Sequence, residues 1–318
     1  MIVALVDNGS LEPAAHRNVR AVAAALAERT GAVVHAVSWK HSNRIRSLAF
    51  AGSASPGSVA EVPLQPDGRA WTLAPWVRAM IAAGEREFLF VPFFVSAQGA
   101  IGSALREDLE NLQRKIGGFD FSFTGGIAGD ETLVRVVASR IRDVIGARGL
   151  HAPPVIVVDH GGPSPASATL RSEIAAAVRR ELGPEIGPLA AASLEGTEYA
   201  HNQPLLADQL GVRGFDRGEI VVAPLFLAPG RHAGPRGDLA QVARAAEDRL
   251  ASPPLRCHFT ELVGTHPFVV DTLATALRDA RLNVSSRSDS TSSFTSETSL
   301  SSIPPGFSPG FQPSPFSA

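Results

Sequence analysis

The chain has 318 residues, a formal net charge of −2 and a single cysteine, Cys257. At roughly 150 residues per domain this length predicts two domains. The near-neutral charge argues against a nucleic-acid-binding protein, which usually carries a basic stripe. One cysteine excludes an intramolecular disulfide framework and a cysteine-rich zinc site. No apolar run reaches the roughly 18 residues that a membrane-spanning helix needs, so we expect a soluble, cytoplasmic protein.

The first half of the chain predicts strands and helices in alternation. Its opening apolar run is followed by the turn sequence DNGS (7–10) and by a helix with Val19 and Leu26 on its apolar face. Strands are expected near 2–6, 33–38, 88–95 and 121–125, and helices near 12–29, 74–83, 102–116 and 130–147. Segment 40–73 is rich in small residues and proline and is predicted to be a surface excursion, with a flap as the alternative.

The second half repeats this pattern. The apolar run 155–158 is followed by DHGG (159–162), and FLFVPFFV (88–95) in the first half matches IVVAPLFL (220–227) in the second. Strands are expected near 155–158, 189–194, 219–226 and 256–261, and helices near 165–182, 202–211, 236–251 and 267–281. These similarities predict an internal duplication with its seam near 147–154.

The predicted fold class is α/β, with two similar doubly wound parallel-sheet domains. Continuously apolar strands are typical of parallel sheets covered on both faces, and alternating strands and helices favour this architecture. We expect an N-terminal domain over 1–149 and a C-terminal domain over 150–282. Residues 283–318 are mostly serine, threonine, proline and glycine, so a disordered tail is expected there. The halves should enclose a cleft at the carboxyl ends of their strands, where such sheets bind ligands.

Two histidines follow strands of the predicted C-terminal sheet. His160 comes directly after strand 155–158, and His232 lies in the loop after strand 219–226. Because the carboxyl ends of parallel strands meet at one edge of a sheet, two imidazoles there can bind a divalent metal or carry protons. The N-terminal half has Asn8 where the second half has His160, and its later loop has no histidine. The sequence therefore predicts one active centre, in the C-terminal half.

Other polar residues give weaker indications. Glu195 and Glu198 follow strand 189–194 and are candidates for a carboxylate at the same edge, with solvated loop acids as the alternative. His266 is interpreted as an N-cap residue of the last helix. The glycine-rich segment 124–131 lacks both the dinucleotide fingerprint and the phosphate-loop lysine, so no nucleotide is expected.

Two segments of the second half carry a family resemblance. VIVVDHGGPSP, and after a helix VVAPLFLAPGRHAGPRGDL, resemble the signature segments of the CbiX/SirB sirohydrochlorin chelatases. The family pattern has [GD]-H-G-S-R after a strand and later P-L-F-L-x-x-G-x-H-x-x-x-D-[IL]. In this chain PLFL, Gly230, His232 and Asp238 fall in the family's order, whereas Gly162 replaces the serine. The resemblance covers about residues 1–281, both halves, as in the long two-domain members.

The resemblance implies an enzyme of the chelatase type, a lyase that inserts cobalt or ferrous iron into a sirohydrochlorin-type tetrapyrrole without ATP. Such a reaction belongs to cobalamin or siroheme biosynthesis. His160 and His232 would be the catalytic, metal-binding pair. Glu198 is a further candidate for the site. The candidates to steer substrate carboxylates are Arg171, Arg231 and Arg236.

The implied partners are a tetrapyrrole and a divalent metal ion as substrates, with no nucleotide, nucleic acid or membrane. A non-catalytic carrier of metal or tetrapyrrole on the same fold is the alternative, because the N-terminal copy has Asn8 and no second histidine. The sequence leaves open which metal and which tetrapyrrole are used, and the oligomeric state.

Overall fold

The computed structural model describes residues 1–45, 65–95, 100–127, 131–250 and 254–292. One compact unit spans Met1–Ala280, and the remaining residues, Arg281–Ala318, form a second unit. The strands and helices are, in chain order, β1 (Ile2–Asp7), α1 (Pro13–Thr30), β2 (Val34–Ser38), β3 (Trp71–Thr72), α2 (Leu73–Ala82), β4 (Glu87–Pro92), α3 (Ala100–Ile116), β5 (Asp120–Phe123), α4 (Thr132–Arg148), β6 (Val155–Asp159), α5 (Pro165–Leu182), β7 (Leu189–Ser193), α6 (Leu206–Gln209), β8 (Gly218–Pro224), α7 (Asp238–Arg249), β9 (Leu255–Phe259) and α8 (Pro267–Ser292).

The described strands form two parallel sheets. Their orders are β3-β2-β1-β4-β5 and β7-β6-β8-β9. In each sheet the chain leaves a central strand, β1 or β6, for the neighbour on one side and later returns to pair with that same strand on its other side. The predicted α/β class with two similar parallel-sheet halves is confirmed.

A single hydrophobic core joins the two halves. Alternate residues of the central strands, such as Val3 and Leu5 of β1 and Val155 and Val157 of β6, belong to one buried cluster together with α1, α4, α5 and α8. The residues between them on each strand belong to separate clusters on the outer face of each sheet. Helices α4 and α5 pack directly on each other. The sheets therefore share an interior, which fixes the position of one set of loops relative to the other.

Two predicted elements differ from the structure. In place of a helix over 202–211, the chain has a 3-10 turn at Ala200–Asn202 and a short α6, because Pro204 lacks the N–H that a continuous helix needs. Strand β3 was not predicted and lies within the expected excursion 40–73. The middle of that excursion, 46–64, lies outside the described residues.

Helix α8 begins as the sequence predicts but ends later. His266 precedes it, and its Nδ1 accepts a hydrogen bond of 3.2 Å from the N–H of Phe268, which confirms the N-cap interpretation. The helix continues to Ser292, past the predicted end at 281 and into the segment expected to be disordered. The rest of the predicted tail, 293–318, lies outside the described residues. None of the described helices is both long and apolar enough to cross a membrane.

Candidate functional site

The two histidines meet at the switch point of the C-terminal sheet. The chain passes from β6 to β7 on one side of the sheet and from β8 to β9 on the other, so the loops after β6 and β8 diverge and leave a crevice. His160 follows β6, His232 lies between β8 and α7, and their Nε2 atoms are 3.1 Å apart. Two nitrogens that bind one tetrahedral ion lie about 3.3 Å apart, so the pair is close to a coordinating geometry.

Glu195 completes a three-donor cluster. It lies in the loop after β7, and its Oε1 is 3.3 Å from Nε2 of His160. The ligand atoms of His160, Glu195 and His232 all lie within 4.8 Å of one another. Three adjacent strands thus each contribute one donor. Two imidazoles and one carboxylate form a borderline ligand set that suits divalent cobalt, iron, nickel or zinc.

Neighbouring groups orient both imidazoles. Nδ1 of His232 is 2.7 Å from Oδ2 of Asp238, the first residue of α7. Nδ1 of His160 is 2.9 Å from the carbonyl oxygen of Gly161. Both acceptors require a proton on Nδ1, which leaves two unprotonated Nε2 atoms next to each other. Two lone pairs at this separation repel unless a cation or a proton lies between them, so the geometry favours a shared positive charge.

A close backbone approach brings His160 next to Glu195. Gly161 has a φ of +83°, and a Cβ atom at this position would lie 2.1 Å from the carbonyl oxygen of Glu195. The N–H of Glu195 donates a hydrogen bond of 3.1 Å to the carbonyl of His160. Only glycine tolerates both this dihedral angle and this contact. The sequence DHGG therefore places a histidine and a carboxylate of two different loops together.

The N-terminal half has the same backbone but different side chains. Gly9 has a φ of +84°, and a Cβ atom there would meet the carbonyl oxygen of Lys40. The N–H of Lys40 donates to the carbonyl of Asn8, as Glu195 does to His160. Lys40 therefore stands where the second half has a carboxylate, and its Nζ lies 3.9 Å from Oδ2 of Asp108.

A buried network lies beneath the C-terminal site. Oγ of Ser193 donates a hydrogen bond of 2.6 Å to Asp159 Oδ1. Arg171 is buried, donates to Ser193, lies 3.4 Å from the same Asp159 oxygen, and donates to the carbonyl of His201. Its guanidinium thus links the end of β6 to the end of β7 by hydrogen bonds. The expectation that Arg171 steers substrate carboxylates is corrected, because its hydrogen bonds are made within the protein.

A cavity of about 850 Å³ lies between loops of the two halves, and the histidine pair opens into it. This volume is in the range of binding sites for drug-sized ligands and cofactors. Its apolar lining comes from both halves and includes Leu11, Phe93, Phe94, Val95, Leu225, Phe226 and Leu227. The predicted cleft between strand ends therefore exists. Residues 96–99, in the loop after β4, lie outside the described residues.

The other predicted substrate-binding residues are placed differently. Arg231 lines the cavity, its side chain is 82% exposed, and its Nε lies 3.8 Å from Oδ2 of Asp238. Glu198 and Arg236 are exposed and do not line the cavity. The structure thus brings together His160, His232 and Arg231.

Sequence reasoning did not identify some residues that shape the site. Asn202 is buried, and its Nδ2 donates to the carbonyls of Gly162 and Gly196, joining the loops after β6 and β7. No local pattern marks a single loop asparagine as buried. Asp238 carried a detectable signal, because an acid at the start of a helix six residues after a histidine is placed to reach back to it.

Comparisons with known proteins give a family match for the second half of the chain and structural matches for most of it. Residues 154–280 match the family model CbiX. SirB from Bacillus subtilis with Fe3+ is similar in structure, with a TM-score of 0.62, 15% sequence identity, and coverage of 90% of this chain and 98% of that one. SirB from Bacillus subtilis subspecies spizizenii in complex with cobalt gives a TM-score of 0.57 at 15% identity, covering 88% of this chain and 95% of that one.

A structure of CbiX, described as the terminal enzyme for biosynthesis of siroheme in denitrifying bacteria, has a TM-score of 0.54 and 19% identity, covering 88% of this chain and 99% of that one. No curated protein sequence matches the chain significantly. At these identities the structural matches show the fold, and the family match covers the part of the chain that holds His160, Glu195 and His232. Residues 154–280 are therefore similar to the CbiX family model, and most of the chain has the fold of the SirB and CbiX structures.

Proposed function

We propose that this protein inserts a divalent metal ion, Co²⁺ or Fe²⁺, into a sirohydrochlorin-type tetrapyrrole without ATP, in cobalamin or siroheme biosynthesis. The observation that carries the proposal is the facing pair of Nε2 atoms of His160 and His232, 3.1 Å apart, with Glu195 beside them in a CbiX-family domain. This cluster opens into a cavity that has room for a large ligand.

The chemistry of metal insertion fits these ligands. The metal ion must exchange its bound water and its protein ligands for four macrocycle nitrogens, and the macrocycle must lose two protons. Neutral imidazoles bind borderline metals firmly enough to capture them and can also accept protons near neutral pH. The exposed fractions of the His160 and Glu195 side chains, 46% and 53%, leave the ion accessible from the cavity. Cobalt and iron bound to this set are substrates that leave with the product.

The cavity supports binding of a planar macrocycle. Aromatic and aliphatic side chains, among them Phe226 and Leu227, provide apolar surface against which a conjugated ring can pack. Arg231 lines the same cavity with an exposed guanidinium that can bind a peripheral carboxylate. We propose these roles for the three residues.

Anaerobic incubation of the purified protein with sirohydrochlorin and Co²⁺, Fe²⁺ or Ni²⁺ tests the proposal. We expect the absorbance bands of the metal-free ring to convert to those of the metal complex over many turnovers, faster than without protein. The variants His160→Ala and His232→Ala should fold, but metal insertion in their presence should be no faster than without protein. A carrier would bind one equivalent and stop. Rates equal to the uncatalysed reaction with every metal would overturn the proposal.

A further inference from the structure

Asp7 is the N-terminal counterpart of Asp159. Each is the last residue of the central strand of its sheet, β1 or β6. Its carbonyl accepts a hydrogen bond from the residue that follows the neighbouring strand, Trp39 at 2.7 Å in the first half and Leu194 at 2.9 Å in the second. Both aspartates line the cavity. Equivalent backbone positions thus place two carboxyl groups at the same cavity, one from each half.

The two carboxyl groups have different partners. Asp159 is held by Ser193 and Arg171. Helices α1 and α5 both begin at a proline, and the residue that corresponds to Arg171 in α1 is Val19, which is fully buried in the core. A valine cannot neutralise a carboxylate. The N-terminal half therefore keeps the acid but has a valine at the position of its counter-ion.

The environment of Asp7 makes its ionised form costly. The residue is only 9% exposed, and its Oδ1 has no hydrogen-bond partner among the described residues. The hydroxyl of Ser38 is close by and is likewise buried without a partner in that part of the chain. Burial raises the pKa of Asp7 to about 6, against the lowering effects of Ser38 and of the Gly9 amide. A carboxyl group in this state exchanges protons near neutral pH.

We infer that, if the proposed function holds, Asp7 is the proton acceptor that the N-terminal half supplies for metal insertion. The carboxyl group lines the same cavity as His160 and His232 but belongs to the other half. The N-terminal half is thereby part of the catalytic machinery, although Asn8 replaces its histidine.

Each proton that the macrocycle releases during metal insertion has an acceptor. One inner N–H bond of the macrocycle breaks, its proton forms an O–H bond with the Asp7 carboxylate, and the electron pair left on nitrogen binds the incoming metal ion. The second inner proton passes to solvent water in the open cavity. Asp7 returns its proton to water between turnovers, which a carboxyl group with a pKa of about 6 does readily at pH 7.5.

Other titratable and charged groups surround Asp7. Those on the cavity, on α1, on the strands paired with β1 or in the loop after β2 are Glu12, His16, Arg17, Arg20, Glu28, Arg29, His35, Lys40, His41, Glu87, Asp159, His160, Arg171, Arg231 and His232. Glu12 and His41 are exposed to solvent, and Asp159 is neutralised by Arg171. Burial lowers the pKa of His16 to about 4, which makes it a weak base. Asp7 is the buried acid of this set that lacks a counter-ion among the described residues.

Steady-state kinetics of Co²⁺ insertion into sirohydrochlorin at pH 7.5 tests the inference. Asp7→Asn should lower kcat at least about tenfold, the low end for loss of a general base, while leaving the KM for tetrapyrrole and the Kd for Co²⁺ within about twofold. Asp7→Glu keeps a carboxylate and should be faster than Asp7→Asn. Asp7→Ala should regain activity with added formate, a small base that can enter the vacated space. Asp120→Asn, an exposed acid on the edge strand β5, is the matched control.

The results separate failure of the Asp7 role from failure of the proposed metal insertion. If wild-type protein inserts metal and Asp7→Asn is equally fast, the inference is overturned and the proposed function stands. The inference also fails if Asp7→Asn loses Co²⁺ binding in proportion to kcat, or if neither formate nor glutamate restores rate, since a structural role would then explain the loss. If wild-type protein inserts no metal, the proposed function fails and the inference fails with it.

Discussion

Nδ1 of His232 and Oδ2 of Asp238 are 2.7 Å apart, which makes the carboxylate the group that determines which ring nitrogen faces the cavity. The carboxylate lies at the N-terminus of α7, where the helix dipole stabilises its charge. A ligand histidine oriented in this way is more basic and loses less freedom when a metal binds.

We expect Asp238→Ala to weaken Co²⁺ binding by roughly 10- to 100-fold, because the imidazole of His232 loses the hydrogen bond that orients it. Isothermal titration with Co²⁺ measures this. Asp248→Ala, an exposed acid on the same helix, is the control and should bind as wild type. An unchanged Kd for Asp238→Ala would show that the contact does not orient the ligand.

His160→Ala and His232→Ala should each abolish metal insertion and leave the melting temperature nearly unchanged, because loop side chains at a cavity add little to the core. Asn8→Ala, at the position equivalent to His160, should have a far smaller effect on turnover. The assay is the absorbance change on metal insertion. Near-normal turnover in both histidine variants, or an equal loss in Asn8→Ala, would contradict the assignment of the site to the C-terminal half.

Glu195→Gln and Glu198→Gln form a matched pair three residues apart. Glu195 lies beside the histidines and Glu198 does not, so the first variant should weaken Co²⁺ binding at least about tenfold and change the visible spectrum of bound Co²⁺. The second variant should resemble wild type in both measurements. The opposite result would restore the sequence-based choice of Glu198.

Asp7→Asn should stabilise the fold at alkaline pH. The pKa of Asp7 is about 6 in the folded protein, against 3.8 for an aspartate in water. The folded state therefore binds more protons than the unfolded state between these two values, and the stability that the neutral carboxyl group allows is lost as the pH rises through 6. Removing the charge should therefore raise the free energy of unfolding by up to about 3 kcal/mol at pH 8 and much less at pH 4.5. Denaturant unfolding at both pH values measures this, with Asp120→Asn as control. An equal effect at both pH values would contradict the raised pKa.

Truncation after Leu282 should leave the compact unit intact. That unit ends at Ala280, and among residues 267–283, where the burial of α8 is described, the buried side chains lie between Val269 and Leu277. We expect the melting temperature to change by no more than about 2 °C, the effect of a typical surface change. A large drop would show that the residues after 282 stabilise the body.

The sequence predicts the architecture because the signal for it is local. The continuous apolar runs of β6 and β8 identify buried parallel strands, and the order of strands and helices then places His160 and His232 at one edge of the sheet. The pairing of the two histidines followed from topology alone. The helix over 202–211 was wrong for a local reason, the proline at 204.

The details of the site depend on contacts between distant parts of the chain. The choice of Glu195 over Glu198 depends on the close approach of Gly161 to the loop after β7, which no sequence spacing reveals. Arg171 occurs in an amphipathic helix and has the residue type of a surface position, yet it is buried against Asp159. Buried polar networks of this kind are determined by tertiary packing.

The common core has a consequence for how the duplicated chain can diverge. Because alternate residues of β1 and β6 and the helices between the sheets belong to one cluster, neither half can be lost without exposing the apolar surface of the other. Selection for folding therefore retains the apolar interior of the first half even where its loops no longer carry ligands. Positions such as Asn8 and Lys40 are then free to change, and the first half can do without metal ligands while its residues still line the cavity.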